Sequence, residues 1–275
     1  MPLKLSTIIF SALMLFACSS PTRDQSLPNS GTAHYLGNEG LLITTPHGKV
    51  LFDPFFHNSY GHYTLVPEEI RLAIFSGEEP YDDISAIVVS HAHGDHFSAE
   101  DTLRYLKANG KASLIGPDQA IDQLRLLEGA SAVESQLRSL SLEVGDPVVE
   151  SRVNSILIES IRIPHAGYPD RQEVANLVHR VTFGDELNVI HMGDADPNDI
   201  HFAPYKAHWE KRESELAFPP YWFFTSRFGP GILTDRINAV ESIGVHVPTK
   251  IPNDLTLTDE DFLSVPGEIR EFSLR

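Results

Sequence analysis

Ser90-His91-Ala92-His93-Gly94-Asp95-His96-Phe97 (SHAHGDHF) follows directly on an apolar run, Ile84-Ser85-Ala86-Ile87-Val88-Val89. The run reads as a buried β-strand. After it, three histidines and an aspartate fall within six positions, in the pattern His-x-His-x-Asp-His. In an extended segment His91 and His93 point to the same side, so two imidazoles can share one ion. Gly94 permits a sharp turn, which aims the adjacent Asp95 and His96 elsewhere, toward a second ion. Imidazole nitrogen combined with carboxylate oxygen suits Zn²⁺, Mn²⁺ or Fe rather than Ca²⁺ or Mg²⁺. A strand end holds such ligands rigidly and lets them face solvent.

Four side chains do not complete two metal sites, so further ligands are expected where polar residues emerge from apolar runs. His165 closes ILIESIRIP, Asp194 closes LNVIHMG, and His246 sits in the short strand GVHVP. By residue type alone Asp196 competes with Asp194, and His191, His201 and His208 compete with His246. The remaining histidines read as surface or hydrogen-bonded residues.

HAHGDH, a later strand-end histidine, Gly193-Asp194 and a late histidine together resemble the metallo-β-lactamase superfamily of metal-dependent hydrolases, over about residues 34–250. The resemblance implies an α+β fold, an αββα sandwich of two mixed sheets flanked by helices, with the metals at one edge between the sheets. It implies that His91, His93 and His165 bind a first metal and that Asp95, His96 and His246 bind a second. Asp194 would bridge the two, and Asp95 and Asp194 would serve catalysis. Asp53, in VLFDPFF, resembles the family's strand-end carboxylate, which would orient a ligand imidazole or the loop backbone; alternatively it only forms the turn before Pro54.

Two divalent ions follow from the same resemblance, Zn foremost, with Mn and Fe as alternatives. Such a pair lowers the pKa of a bridging water, so a hydroxide could cleave an ester, lactone, amide or phosphodiester. The bridging position carries no Cys, as it would in the thiolate-dependent subclass, and Asp194 supplies a carboxylate that other β-lactamases lack; both argue against a true β-lactamase. The run from VLFDPFF to PPYW and GVHVP is closer to the lactonase and phospholipase D branches. Alternative readings are a phosphodiesterase acting on phospholipid head groups, or a metal-stabilised lipoprotein that binds a partner without catalysis.

The chain has 275 residues, and 21 basic against 38 acidic side chains give a formal net charge of −17. That charge excludes nucleic acid, whose binders need a basic footprint, and leaves a small molecule or lipid as the substrate. Residues 1–18 carry one charge, Lys4, then an apolar run from Ile8 to Ala17. The run is too short to span a bilayer and has the dimensions of a signal segment. Leu15-Phe16-Ala17-Cys18 resembles a bacterial lipobox, implying a lipid anchor on Cys18 and a periplasm-facing protein of the cell envelope. Residues 19–32 (SSPTRDQSLPNSGT) read as a flexible tether, and 33–275 as one hydrolase domain. Cys18 is the only cysteine, so the body holds neither a disulfide nor a thiolate ligand.

Periodicity and turn residues predict strands over HYLGNEG, LLITTPHGKVLFDPFF (a hairpin through Pro46-His47-Gly48), LSLEVGD, VNSILIESIRIPH, NLVHRVTFGD and LNVIHMGD. Helices are predicted from Ser98 to before Gly110, over PDQAIDQLRLLEG, and around DRINAVESIG, with 201–214 helical or irregular. No internal repeat is visible. Phe55, Phe56, Tyr221, Trp222, Phe223 and Phe224 either wall an apolar mouth or belong to the core, and Tyr168 follows His165 closely enough to reach a substrate. Arg162, Arg171 and Arg227 are available for phosphate, or are solvated surface charges.

Overall fold

In a computed structural model describing residues 30–184 and 187–273, Leu41, Leu42 and Ile43 are all fully buried, and they alternate between two cores. Leu41 and Ile43 point into the space between two sheets, while Leu42 joins Leu36 and Leu51 beneath a layer of helices. A strand covered on both faces needs no polar alternation, which is why these runs are continuously apolar. The signal segment and most of the tether lie outside the described residues. Residues 30–32, expected in the tether, already form the start of a strand.

One sheet contains β1 (Ser30–Gly37), β2 (Gly40–Thr45), β3 (Gly48–Phe52), β4 (Ile84–Val88), β5 (Ser113–Pro117), β6 (Leu137–Leu140) and β14 (Ile269–Ser273), in the order β14-β1-β2-β3-β4-β5-β6. The other contains β7 (Val149–Val153), β8 (Ile156–Arg162), β9 (Leu177–Phe183), β10 (Leu187–His191), β11 (Ser214–Phe218), β12 (Ala239–Gly244) and β13 (Asp261–Phe262), in the order β13-β12-β11-β10-β9-β8-β7. Starting from β14 and from β7, both sheets show antiparallel pairings up to β3 and β10 and parallel pairings beyond. The repeat invisible in sequence is thus present in strand pairing. Asp53 and Asp194 lie just beyond β3 and β10, the two strands where the pairing changes sense.

Helices α1 (Glu68–Ser76), α2 (Ala99–Ala108) and α3 (Asp118–Arg125) cover the first sheet through Ile74, Leu103, Leu106, Ile121 and Leu124. Ser98 caps α2 by accepting the Asp101 N–H at 3.3 Å. Short helical segments carrying Phe202, Trp209 and Phe223 cover the second sheet. This is the expected αββα sandwich.

Several local expectations differ. The segment around DRINAVESIG holds one helical turn (Ile232–Arg236), after which residues from Ala239 run as β12, parallel to β11. Asn238 at φ 54 breaks the helical path, and pairing beside an existing strand outweighs weak helical periodicity. HYLGNEG turns at Asn38-Glu39, and VNSILIESIRIPH is a hairpin turning at Asn154, φ 55. Of LSLEVGD only Leu140 belongs to a strand.

Candidate metal centre

The loops that follow β4, β8, β10 and β12 converge at one mouth of the sandwich. Gly193, at φ 52, sits so close to its neighbours that a Cβ there would lie 2.6 Å from Ser90 Cβ. Asn176 knits the site from behind: its Oδ1 accepts the Asp194 N–H at 3.0 Å, and its Nδ2 donates to the carbonyls of Ile163 and Met192. Ala166 N–H donates to the Asp194 carbonyl at 2.7 Å. The His165 and Asp194 loops therefore lie side by side.

All seven sequence-derived positions meet there. Nε2 of His91 and Nδ1 of His93 are 3.0 Å apart. Asp194 Oδ2 is 3.1 Å from His165 Nε2 and 3.8 Å from His91 Nε2. Asp194 Oδ1 is 3.0 Å from His246 Nε2 and 3.4 Å from His96 Nε2. Asp95 Oδ2 lies 3.5 Å from His246 Nε2 and 3.7 Å from His96 Nε2. His91, His93, His165 and Asp194 thus form one group of facing ligand atoms, and His96, Asp194 and His246 form another. His246 follows β12 at φ 59, in a bend rather than in a strand as the sequence suggested.

Whether cations fit is answered by what the side chains lack. Nε2 of His96, His165 and His246 and Oδ1 of Asp95 and Asp194 are buried without hydrogen bonds among the described residues. Each bare polar atom costs about 1–3 kcal/mol, and all converge on the same space, so ions there would satisfy several at once. The donor set is nitrogen and oxygen only, as borderline divalent ions prefer. Burial disfavours charge on His246, yet the Asp194 carboxylate beside it pushes its pKa up to about 9. Burial likewise opposes ionisation of Asp194, but His246, His96 and His165 outweigh it and hold the carboxyl well below its usual range. Burial instead holds His91 and His93 below the usual imidazole range, so positive charge is favoured beside Asp194 rather than throughout the cluster.

Other side chains hold the ligands in place. Asp53 accepts from the Ser90 N–H and lies 2.8 Å from Nδ1 of His96. The carbonyl of Ala166 lies 2.7 Å from Nδ1 of His165. Both contacts suit a proton on Nδ1, which would leave Nε2 free to face an ion. Asn38, buried at φ 46, donates from Nδ2 to the Asp95 carbonyl at 2.9 Å, and its own carbonyl accepts the His246 N–H at 3.0 Å. Sequence reading missed Asn38 and Asn176. The only available signal was a Gly37-Asn38-Glu39-Gly40 turn signature inside an apparent strand.

His93, Asp95, Asp194 and His246 floor a cavity of about 380 Å³. Tyr60, Tyr63, Arg171 and Glu173 also line it. Tyr63 stands edge-on to His246 at 4.1 Å between ring centroids, and Trp222 at 5.2 Å. Phe55, Phe56, Phe223 and Phe224 are core residues instead. Tyr168 packs its ring against His201, which lies 3.6 Å from Asp196. His191 stacks on Phe52, and buried His208 lies 3.8 Å from Glu159. Arg162 is engaged by Glu143 and the carbonyls of Leu142 and Gln172, and Arg227 lies over Phe228.

Residues 32–205, more than half of the chain, match the β-lactamase superfamily domain. The chain belongs to that family. Solved structures of the same fold include Igni18, a metallo hydrolase from the archaeon Ignicoccus hospitalis, at a TM-score of 0.59 and 15% identity over 90% of this chain and 100% of that one. YhfI, a metallo-β-lactamase fold protein from Bacillus subtilis, gives 0.57 and 15% over 88% and 99%. An isothiocyanate hydrolase from Delia radicum gut bacteria gives 0.56 and 16% over 88% and 99%. A protein of Mycolicibacterium smegmatis named for a Rieske 2Fe-2S centre is 31% identical over 91 residues, 33% of this superfamily member. The match spans only 16% of that relative's length.

Proposed function

We propose that this protein is a dinuclear metal-dependent hydrolase, with zinc as the ion best suited to its donors. The division of the Asp194 carboxylate carries the reading, because Oδ2 faces His165 and His91 whereas Oδ1 faces His246 and His96. One site would then comprise His91, His93 and His165, the other Asp95, His96 and His246, with Asp194 shared. Ions held there would lower the pKa of water toward neutrality and polarise a substrate oxygen. The protein's own part is positional: Asp53 and Ala166 fix two imidazoles, Asn38 ties the Asp95 loop to the His246 bend, and Asn176 holds Asp194. The cavity above the ligands admits a small substrate. An ester, lactone, amide or phosphodiester is the proposed bond, and fold relatives named as hydrolases support the reaction class.

Elemental mass spectrometry on protein purified without chelator tests this directly. About two equivalents of zinc per chain are expected, falling to one or none in Asp194→Ala, together with chelator-sensitive cleavage of 4-nitrophenyl acetate, a simple lactone or bis(4-nitrophenyl) phosphate. A protein that takes up no metal, and whose stability is indifferent to chelator, would overturn the proposal.

A further inference from the structure

The cavity over the metal centre has one Arg or Lys in its lining, Arg171. Arg162, Arg180, Arg236 and Arg270 each pair with a carboxylate. Arg171 has none within 4.0 Å among the described residues, and although Glu173 lines the same cavity the two do not pair. Its stem is nevertheless placed. A Cβ on Gly167, which stands at φ 89, would lie 3.5 Å from Arg171 Cδ, so the side chain folds back across the loop that begins at His165. That loop is braced by the Val174 N–H donating to the Arg171 carbonyl at 3.1 Å and by buried Arg162 donating to the Gln172 carbonyl at 3.0 Å.

We infer that Arg171 is an anion subsite, and that the substrate of the proposed hydrolase carries a carboxylate or phosphate group beside the bond that is cut. The inference rests on the hydrolase reading above and specifies its substrate class. A guanidinium with no internal partner offers a planar pair of N–H donors, which match an oxyacid two at a time. The net charge of −17 repels anions from the molecule as a whole, and Arg171 opposes that repulsion locally. That repulsion is screened beyond about 8 Å in physiological salt, so the charges lining the cavity, Arg171 among them, set the local outcome. Tyr60 and Tyr63 line the same cavity, as do the carboxylates of Asp95, Glu173 and Asp194, against which Arg171 supplies the cation.

Calorimetric titration of the zinc-loaded protein with glutarate, and separately with inorganic phosphate, tests the subsite without turnover. Arg171→Gln is expected to weaken binding of at least one anion by about tenfold or more, and Arg171→Lys by less, since it keeps the charge and loses the fork. A loss confined to glutarate assigns a carboxylate, and a loss confined to phosphate assigns a phosphate. Zinc content measured on the same samples should be equal in all three proteins. Anion binding that is undetectable in the parent, or unchanged in Arg171→Gln at equal zinc content, overturns the subsite. Failure of metal uptake or of ester, lactone and phosphodiester cleavage by the parent strikes the hydrolase reading instead.

Discussion

Oδ2 of Asp53 lies 2.8 Å from Nδ1 of His96, while Oδ1 accepts the Ser90 N–H at 2.8 Å. One carboxylate at the end of β3 thus fixes both the exit of β4 and an imidazole six residues further on. Its backbone stands at φ 39, a left-handed conformation uncommon outside glycine but one that Asp adopts more readily than most. Asp53→Asn would keep the shape and lose the charge that holds a proton on Nδ1. We expect metal affinity to fall about 10- to 100-fold, measured by competition with a chromogenic chelator. Unchanged affinity would mean that Asp53 only shapes the turn.

The two oxygens of Asp194 predict that its partners separate by site. His165→Ala and His246→Ala should each lower zinc content by about one equivalent, and the double variant should lose both. If either single change empties the whole centre, the two ions are bound as one unit.

Gly193 is required by both backbone and space, with φ 52 and Ser90 in the way of any Cβ. Gly193→Ala should destabilise the fold by about 1–3 kcal/mol and release metal, because Asp194 is the next residue. Gly77, at φ 66 with nothing within 4 Å, isolates the backbone contribution. Gly77→Ala should cost about 1–2 kcal/mol and leave zinc content intact. Urea denaturation paired with elemental analysis reads both effects.

His179 is fully buried, with Nε2 3.1 Å from the Val89 carbonyl and Nδ1 2.9 Å from Ser160 Oγ. Burial lowers its pKa from 6.5 to about 4. The unfolded chain therefore takes up this proton first as pH falls. Stability from neutral His179 is complete above about pH 6.5, drains away between pH 6.5 and 4, and levels off below. The total is on the order of 3 kcal/mol. Comparing urea midpoints of the parent and His179→Gln over that range isolates it, and the variant should show the flatter profile. Parallel curves would place the acid sensitivity elsewhere.

How far the sequence could be read depended on the range of each interaction. SHAHGDHF was legible because its ligands lie within one strand end, and spacing along a chain translates directly into geometry there. His165, Asp194 and His246 could be nominated because a polar ligand type at the end of an apolar run is a local signal, and the family resemblance then set them above Asp196, His191, His201 and His208. The two-sheet sandwich followed from the family resemblance, and its strands read as apolar runs. Residues 239–244 were misread because a short amphipathic run fits either period, and only the edge offered by β11 decides between them.

The sequence by itself determined which atoms could bind a metal, since that is residue chemistry. Only the tertiary structure decided that one oxygen of Asp194 faces His165 and the other His246, residues 29 and 52 positions away in opposite directions. It also decided that Asn38 and Asn176 tie these loops together and that Arg171, rather than Arg162 or Arg227, reaches the cavity. Those outcomes depend on how two sheets pack face to face and bring separate loops to one edge. No local pattern in the chain encodes that proximity.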